Sequence, residues 1–213
     1  MLELSVKVLI AYLIGALLGS LILGRLRGVD IRAMGSGNAG ATNALRTQGK
    51  AFALAVLLID AGKGVLAVRW LPLATLPGIG QDPDLSREWL TLACAFTVIL
   101  GHVYPVWFGF RGGKGAATMI GVAGALDPHL LVPVLLCWFA VLLLTGYVGL
   151  ATMIAGVALV VAARMLEPAD TPLLGFCILV AAFVIYTHRS NIARMWAGQE
   201  NRARLWLFRS RAA

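Results

Sequence analysis

Long apolar stretches recur along this chain of 213 residues and constrain its fold more than any other feature. A helix needs about 20 apolar residues to cross a bilayer, and several stretches reach that length. Hydrophobic residues make up 60% of the chain and charged residues 13%, whereas soluble domains are about half apolar and a quarter charged. We therefore predict an all-α integral membrane protein, a bundle of about seven transmembrane helices. The candidate stretches are 4–26, 51–73, 89–108, 115–126, 129–146, 148–166 and 172–187.

The fourth stretch, 115–126, is too short to cross a bilayer comfortably. It follows a glycine-rich loop and ends at Asp127-Pro128, so we predict a partial helix that is shielded by its neighbours. A count of roughly five or six spans is the alternative.

Lysine and arginine are distributed unevenly among the loops, and cytoplasmic loops carry an excess of these residues. Seven spans place the N-terminus outside, the C-terminus in the cytoplasm, and the following cations on the cytoplasmic side: Arg25, Arg27, Arg32, Arg46, Lys50, Arg111, Lys114, Arg189, Arg194, Arg202, Arg204, Arg209 and Arg211. The opposite loops are mainly acidic. We predict a single membrane-embedded domain over 1–213, in which 191–213 is a basic tail lying on the inner leaflet. The apolar members of this tail are Ile192, Met195, Trp196, Leu205, Trp206 and Phe208.

The first of three polar motifs runs from Gly35 to Arg46 and reads GSGNAGATNALR. Glycine-rich backbone and fixed cations together bind phosphate, so we predict a phosphate-binding turn that leads into a helix. Hydrogen bonds would come from Ser36, Asn38, Thr42 and Asn43, and a bidentate contact from Arg46. A dinucleotide-binding fingerprint also matches these glycines, but it requires a preceding strand, and membrane spans lie on both sides. A capped turn beside the membrane is the remaining alternative.

The second motif begins at Gly101-His102 and ends at Arg111-Gly112-Gly113-Lys114-Gly115. It is not a Walker A loop, because Phe108 stands at the position of its first glycine and Gly115 at that of the magnesium-binding hydroxyl. We predict that Lys114 binds phosphate within a glycine-lined nest at a helix start. A flexible basic loop is the alternative, and His102 alone could be a packing residue.

The third motif is His188-Arg189-Ser190-Asn191, in which His188 and Asn191 can share a helix face. A further pair, Asp60 and Lys63, lies one turn apart within the second stretch, with Asp60 about 14 Å from its cytoplasmic end. Charged side chains inside a membrane are costly and usually pair with one another. Asp60 and Lys63 could therefore form a structural ion pair beneath the site or take part directly in its chemistry. Lone cysteines give no metal spacing, and we predict neither a metal nor a cofactor.

Taken together, these motifs resemble the PlsY family of bacterial acyl-phosphate:glycerol-3-phosphate acyltransferases. The resemblance covers nearly the whole chain and extends to Gly101-His102-Val103-Tyr104-Pro105, Thr187 to Ile192, Gly198 and Glu200. One departure is Ala16-Leu17-Leu18, which stands where the family has Ser-x-Pro in its first helix. The proline that would kink that helix is therefore missing.

The resemblance implies transfer of a fatty acyl group from acyl phosphate to the 1-hydroxyl of glycerol 3-phosphate, giving lysophosphatidic acid and phosphate. It implies that Ser36, Arg46, Lys114, His188 and Asn191 are essential and that the backbone of Gly112–Gly115 holds phosphate. With the motifs, the predicted substrate-binding residues are Gly35, Gly37, Asn38, Thr42, Asn43, Arg111, Gly112, Gly113 and Gly115. The predicted supporting residues are Asp60, Lys63, His102 and Glu200.

No histidine is followed five residues later by aspartate, so the His-x4-Asp base of many other glycerolipid acyltransferases is absent. Because acyl phosphate is already activated, we predict direct attack by the glycerol hydroxyl, with the proton passing to His188 or to the departing phosphate. The expected partners are the two substrates, the bilayer of the bacterial inner membrane and a soluble enzyme that makes acyl phosphate, but no nucleic acid. The active site is expected to face the cytoplasm. A transporter of a phosphate ester is the alternative function.

Overall fold

The structure, a computed structural model, describes residues 1–203. This part of the chain contains ten α-helices. They are α1 (Leu2–Gly15), α2 (Gly19–Leu26), α3 (Ala41–Gln48), α4 (Lys50–Arg69), α5 (Arg87–Val103), α6 (Ala116–Leu126), α7 (Pro128–Thr145), α8 (Val148–Leu166), α9 (Thr171–Thr187) and α10 (Arg189–Trp196). Two short 3-10 turns, Ile31–Ala33 and Val106–Phe108, lie in the loops. The predicted all-α class is confirmed.

Four helical segments are long and apolar enough to cross a membrane: α4, α7, α8 and the segment Arg87–Phe108, which contains α5. Two bent pairs, α1 with α2 and α9 with α10, bring the number to 6 if each pair is one span. Helix α6 has 11 residues and is about 16 Å long, roughly half the thickness of the hydrocarbon core. It is the short helix predicted over 115–126. A seventh span and the orientation of the chain stay predictions.

The helices group into two compact units, Met1–Pro128 and a second that begins at His129. In the first unit α1 packs against α5 and α4 packs against α6. Glycines permit both contacts, because a Cβ at Gly15 would overlap the main chain of Val98 and one at Gly121 that of Ala61. In the second unit α8 packs against α9. The single domain expected over 1–213 stays a prediction.

The first predicted span, 4–26, is not one helix, because α1 and α2 meet at a bend of 47°. The bend occurs without the proline that the family has there, and side chains of α4 hold it instead. Lys63 Nζ donates to the carbonyls of Gly15 (2.8 Å) and Leu17 (3.1 Å), and the Gly19 amide donates to Asp60 Oδ1 at 3.1 Å. Backbone groups that a break frees inside a membrane need such partners.

A buried ionic cluster joins the start of α1 to the segment 72–87, and none of its members was predicted as a site residue. The Glu3 carboxylate accepts hydrogen bonds from Lys7 (2.8 Å), from the Arg87 guanidinium (2.6 and 2.9 Å) and from the Asp82 amide (2.8 Å). Lys7 also donates to the Pro72 carbonyl at 2.8 Å. Because removing one partner would leave a buried charge unpaired, this cluster ties the loop firmly to α1.

The beginning of the predicted tail is ordered against the second unit. Helix α10 occupies its first turns, the Ala203 amide donates to the Gly146 carbonyl at 2.7 Å, and the Arg202 guanidinium lies 5.0 Å from the centre of the Tyr147 ring. The remaining predicted tail residues, from Arg204 onward, lie outside the described residues.

Candidate active site

The first polar motif is folded around the side chain of Asn43. Its Oδ1 accepts a hydrogen bond from the Ser36 amide (2.9 Å), and its Nδ2 donates to the carbonyls of Ile31 (2.9 Å) and Met34 (3.0 Å). Asn43 is 1% exposed, so these bonds are shielded from water. Asn43 was predicted to donate to a phosphate, but both of its amide hydrogens are used within the protein. Its observed role is to shape the turn that presents Ser36.

Two glycines of this motif have backbone angles that other residues rarely adopt, with φ of 56° at Gly35 and 74° at Gly37. A Cβ at Gly35 would also overlap Asn43 Oδ1, so a side chain there would disturb the turn itself. The glycine turn within the motif ends at Ala39, whose carbonyl accepts a hydrogen bond from the buried Ser20 hydroxyl of α2 at 2.7 Å. Helix α2 therefore sets the position of the end of the turn.

Helix α3 follows with Gly40 as its N-cap and without a side-chain cap. The Asn43 amide donates to the Gly40 carbonyl at 3.1 Å, whereas the amides of Ala41 and Thr42 make no hydrogen bond among the described residues. Thr42 and Arg46 are one turn apart on this helix, and the Arg46 side chain is exposed. Among the described residues, neither the Ser36 hydroxyl nor the Arg46 guanidinium makes a hydrogen bond or ion pair. The Ser36 hydroxyl, which lies before the positive end of α3, and the Arg46 guanidinium, in the last turn of that helix, are therefore available to an anion.

The second motif folds back onto the end of α5. The amides of Gly112 and Gly113 donate to the carbonyls of Val103 (3.1 Å) and His102 (3.2 Å). These two amides were expected to hold phosphate, but they fix the loop instead. Gly115 has a φ of 85° and begins α6, which also lacks a side-chain cap. Lys114 is half-buried directly before that helix start, and its binding of phosphate stays a prediction.

Arg32 joins the segment directly before the first motif to the second motif. Its guanidinium pairs with Asp30 (2.7 Å) and donates to the carbonyls of Phe108 and Arg111, both at 3.1 Å. The hydrogen bond from Arg32 holds the pKa of Asp30 below its usual value. In the sequence Arg32 was counted only among the cytoplasmic cations, since nothing in the pattern shows that it reaches a loop 76 residues away. Arg32 contacts only the main-chain carbonyl of Arg111, whose side chain is exposed.

Asp60 and Lys63 form the predicted ion pair, with Lys63 Nζ 3.0 Å from Asp60 Oδ1. His102 completes a cluster, its Nδ1 lying 2.9 Å from Lys63 Nζ and 3.6 Å from Asp60 Oδ1. All three side chains are buried. A Cβ on Gly113 would overlap His102 Nε2, so the ring lies directly against the glycine loop. The three predicted supporting residues of the first unit are thus brought together.

The third motif lies in the second unit, at the bend of 51° between α9 and α10. His188 is 4% exposed, and its Nδ1 lies 2.8 Å from the Val184 carbonyl. A carbonyl can only accept, so Nδ1 carries the proton and Nε2 is the unprotonated nitrogen of the neutral ring.

Glu200 holds Asn191 in place. Asn191 Nδ2 donates to Glu200 Oε1 at 2.8 Å, and Arg194 Nε donates to Glu200 Oε2 at 2.7 Å. Asn191 also packs on Gly149, where a Cβ would lie 2.8 Å from its Nδ2. The Asn191 side chain is therefore fixed by Glu200 and by Gly149 of α8. That the third motif joins the first two in one site stays a prediction.

The fold and these motifs define an integral membrane protein with two helix starts that follow glycine motifs and with two cations, Arg46 in the last turn of α3 and Lys114 directly before α6, in the same motifs. Residues 5–198 match the family model described as glycerol-3-phosphate acyltransferase. Curated relatives carry the same description: one from Chlorobaculum parvum is 38% identical over 91% of this chain and 93% of its own, and one from Agrobacterium fabrum is 40% identical over 93% and 91%. The chain belongs to the glycerol-3-phosphate acyltransferase family and is an acyltransferase.

Two crystal structures of PlsY (YgiH), an integral membrane glycerol 3-phosphate acyltransferase, have the same fold. They are its glycerol 3-phosphate form, with a TM-score of 0.80, and its lysophosphatidic acid form, with a TM-score of 0.78. Each is 33% identical to this chain and covers 93% of it and 94% of the PlsY chain. The resemblance noted in the sequence is confirmed, and the family favours the enzyme over the transporter alternative.

Proposed function

We propose that this protein transfers a fatty acyl group from acyl phosphate to the 1-hydroxyl of glycerol 3-phosphate at the cytoplasmic face of the bacterial inner membrane. The observation that supports this most is that the Arg32 guanidinium ties the segment before the first glycine motif to the second glycine motif, so that the parts of the chain that carry Arg46 and Lys114 are connected. Both substrates have a phosphate group, and the PlsY relative was solved in glycerol 3-phosphate and lysophosphatidic acid forms. Apolar helices around such a site suit the acyl chain.

Amides that already donate within the protein are excluded from the proposed phosphate contacts. The amides of Ser36, Gly37, Gly112 and Gly113 are engaged within the protein, so we assign phosphate binding to other groups. These are the Ser36 hydroxyl, the amides of Ala41 and Thr42, the first-turn amides of α6, and the cations Arg46 and Lys114. Charge-assisted bonds from a guanidinium or ammonium to phosphate are the strongest of these contacts.

The proposed reaction is a direct displacement. The 1-hydroxyl oxygen of glycerol 3-phosphate attacks the acyl carbon, a new ester C–O bond forms, and the bond from that carbon to the phosphate oxygen breaks. Phosphate leaves with the electron pair, and the hydroxyl proton passes to His188 Nε2 or to the departing phosphate. Ser36 is proposed as a hydrogen-bond donor and not a nucleophile, because acyl phosphate is already activated and direct attack needs no acyl-enzyme intermediate. Catalysis then comes mainly from positioning and charge stabilisation.

The test is an acyl-transfer assay with the purified protein, radiolabelled glycerol 3-phosphate and a fatty acyl phosphate. We expect label in lysophosphatidic acid and release of one phosphate for each ester formed. Glycerol in place of glycerol 3-phosphate should give no product, because the site would lose its anionic contacts. Transfer only from an acyl thioester would refute the proposed donor, and uptake into vesicles without ester formation would indicate a transporter.

A further inference from the structure

We infer that the buried cluster of Asp60, Lys63 and His102 is a positioning device that holds the first two polar motifs in place relative to each other. The inference rests on the proposed function, because it concerns residues that support the proposed phosphate site. None of the three side chains is proposed to touch a substrate. Each acts through hydrogen bonds or packing on the backbone that presents the site residues.

One connection runs from Asp60 to the first motif. Asp60 Oδ1 accepts from the Gly19 amide at the first residue of α2, at 3.1 Å. The next residue, Ser20, donates its hydroxyl to the Ala39 carbonyl at 2.7 Å, directly before α3 begins. A displacement of Asp60 is therefore passed by two consecutive hydrogen bonds to the start of the helix that presents Arg46.

A second connection runs through Lys63. Its ammonium group donates to the carbonyls of Gly15 and Leu17 on the other side of the break, and it lies within hydrogen-bonding distance of His102 Nδ1. An ammonium group has no acceptor lone pair, so Nδ1 accepts and the proton of the ring is on Nε2. Lys63 thus determines both the tautomer and the direction of the imidazole.

The third connection runs from His102 to the second motif. The ring occupies the space where a side chain at Gly113 would lie, and the His102 carbonyl accepts from the Gly113 amide at 3.2 Å. Gly113 is directly before Lys114. The orientation of the imidazole consequently sets the path of the chain that presents the phosphate-binding lysine.

The composition of the cluster favours a positioning role over a purely stabilising one. Well-packed apolar side chains usually stabilise a protein interior at least as well as a buried ion pair. Moreover, Asp60 Oδ2 is fully buried and has no hydrogen-bond partner among the described residues, which is costly for a carboxylate. Apolar residues could not provide directed hydrogen bonds to the Gly19 amide and to His102, and these bonds link the two motifs.

The contact between His102 and Gly113 gives a second-site rescue test. Gly113→Ala should lower kcat by about 100-fold, since displacements near 1 Å at a reacting centre cost that much. His102→Asn retains an acceptor near Nδ1 but removes the ring atom that the new methyl group would strike. In the His102→Asn background, adding Gly113→Ala should therefore lower kcat further by only about threefold or less. Equal effects of Gly113→Ala in both backgrounds would overturn the inference.

The control is Gly62→Ala on α4, where the added methyl group meets open space and kcat should not change. A second variant, Asp60→Asn with Lys63→Met, removes both charges together while keeping similar side-chain shapes. We expect it to remain folded, with kcat lowered by about tenfold or more and little change in KM for glycerol 3-phosphate.

Unchanged kcat in this folded double variant would assign the cluster to stability and overturn the inference. Failure of every variant to fold would have the same meaning. Wild-type protein is assayed in parallel, so an inactive wild type would refute the proposed function and not the positioning role.

Discussion

Replacing Gly35 by alanine tests whether the turn around Asn43 has the role that the geometry indicates. Gly35 has a φ of 56°, and its missing Cβ leaves room for Asn43 Oδ1. Gly28, which lies earlier in the same loop region, also has a positive φ, 68°, but a Cβ there would meet no atom within 4 Å. The two substitutions therefore share the backbone strain, and only Gly35→Ala also forces Asn43 to move.

The expected magnitudes follow from these two contributions. A left-handed backbone costs an alanine about 1–2 kcal/mol, and this applies to both variants. Displacing Asn43 Oδ1 breaks its bond to the Ser36 amide and leaves buried polar groups unsatisfied, which costs about a further 1–3 kcal/mol. We expect Gly35→Ala to lose about 2–5 kcal/mol in total. We also expect its kcat to fall by about 100-fold, because Ser36 moves with the turn.

Both variants would be compared with wild type by thermal unfolding in detergent and by the acyl-transfer assay. Gly28→Ala should show a small decrease in the unfolding midpoint and nearly normal kcat. If the two variants lose the same stability and the same activity, then Asn43 does not organise this turn, and the reasoning from its three hydrogen bonds is refuted.

Arg46→Ala should remove a charge-assisted phosphate contact worth roughly 2–5 kcal/mol and nearly abolish transfer. The control is Lys50→Ala, which removes an exposed cation four residues later and should leave kcat/KM close to wild type. Similar losses in both variants would argue against a specific contact of Arg46. Single cysteines placed in the 27–50 and 109–114 loops should react with an impermeant thiol reagent only from the cytoplasmic side; labelling of either loop from outside would contradict the predicted orientation. Rapid quenching of the enzyme with acyl phosphate alone should give no acylated protein in an intact mass spectrum, while Ser36→Ala should still be severely impaired. An adduct of one acyl chain that Ser36→Ala lacks and glycerol 3-phosphate discharges would instead identify Ser36 as a nucleophile.

The sequence by itself determined the class of the protein and the location of its polar motifs. Apolar stretches of about 20 residues require helices in a membrane, because only helices satisfy the backbone there within one segment. Local spacing also predicted the Asp60–Lys63 pair, since residues three apart on a helix are neighbours. These predictions succeed because each depends on residues that are close together along the chain.

Tertiary structure decided how the motifs are built and held. The hydrogen bond of Arg32 to the Phe108 carbonyl spans 76 residues, that of Lys7 to the Pro72 carbonyl spans 65, and that of Lys63 to the Gly15 carbonyl spans 48. Such partners leave no periodic pattern, because the acceptor in each case is a main-chain carbonyl that any residue supplies. For the same reason the sequence did not show which amides of the glycine motifs donate within the protein. Whether a glycine N–H faces a ligand or another part of the protein depends on where the chain folds back.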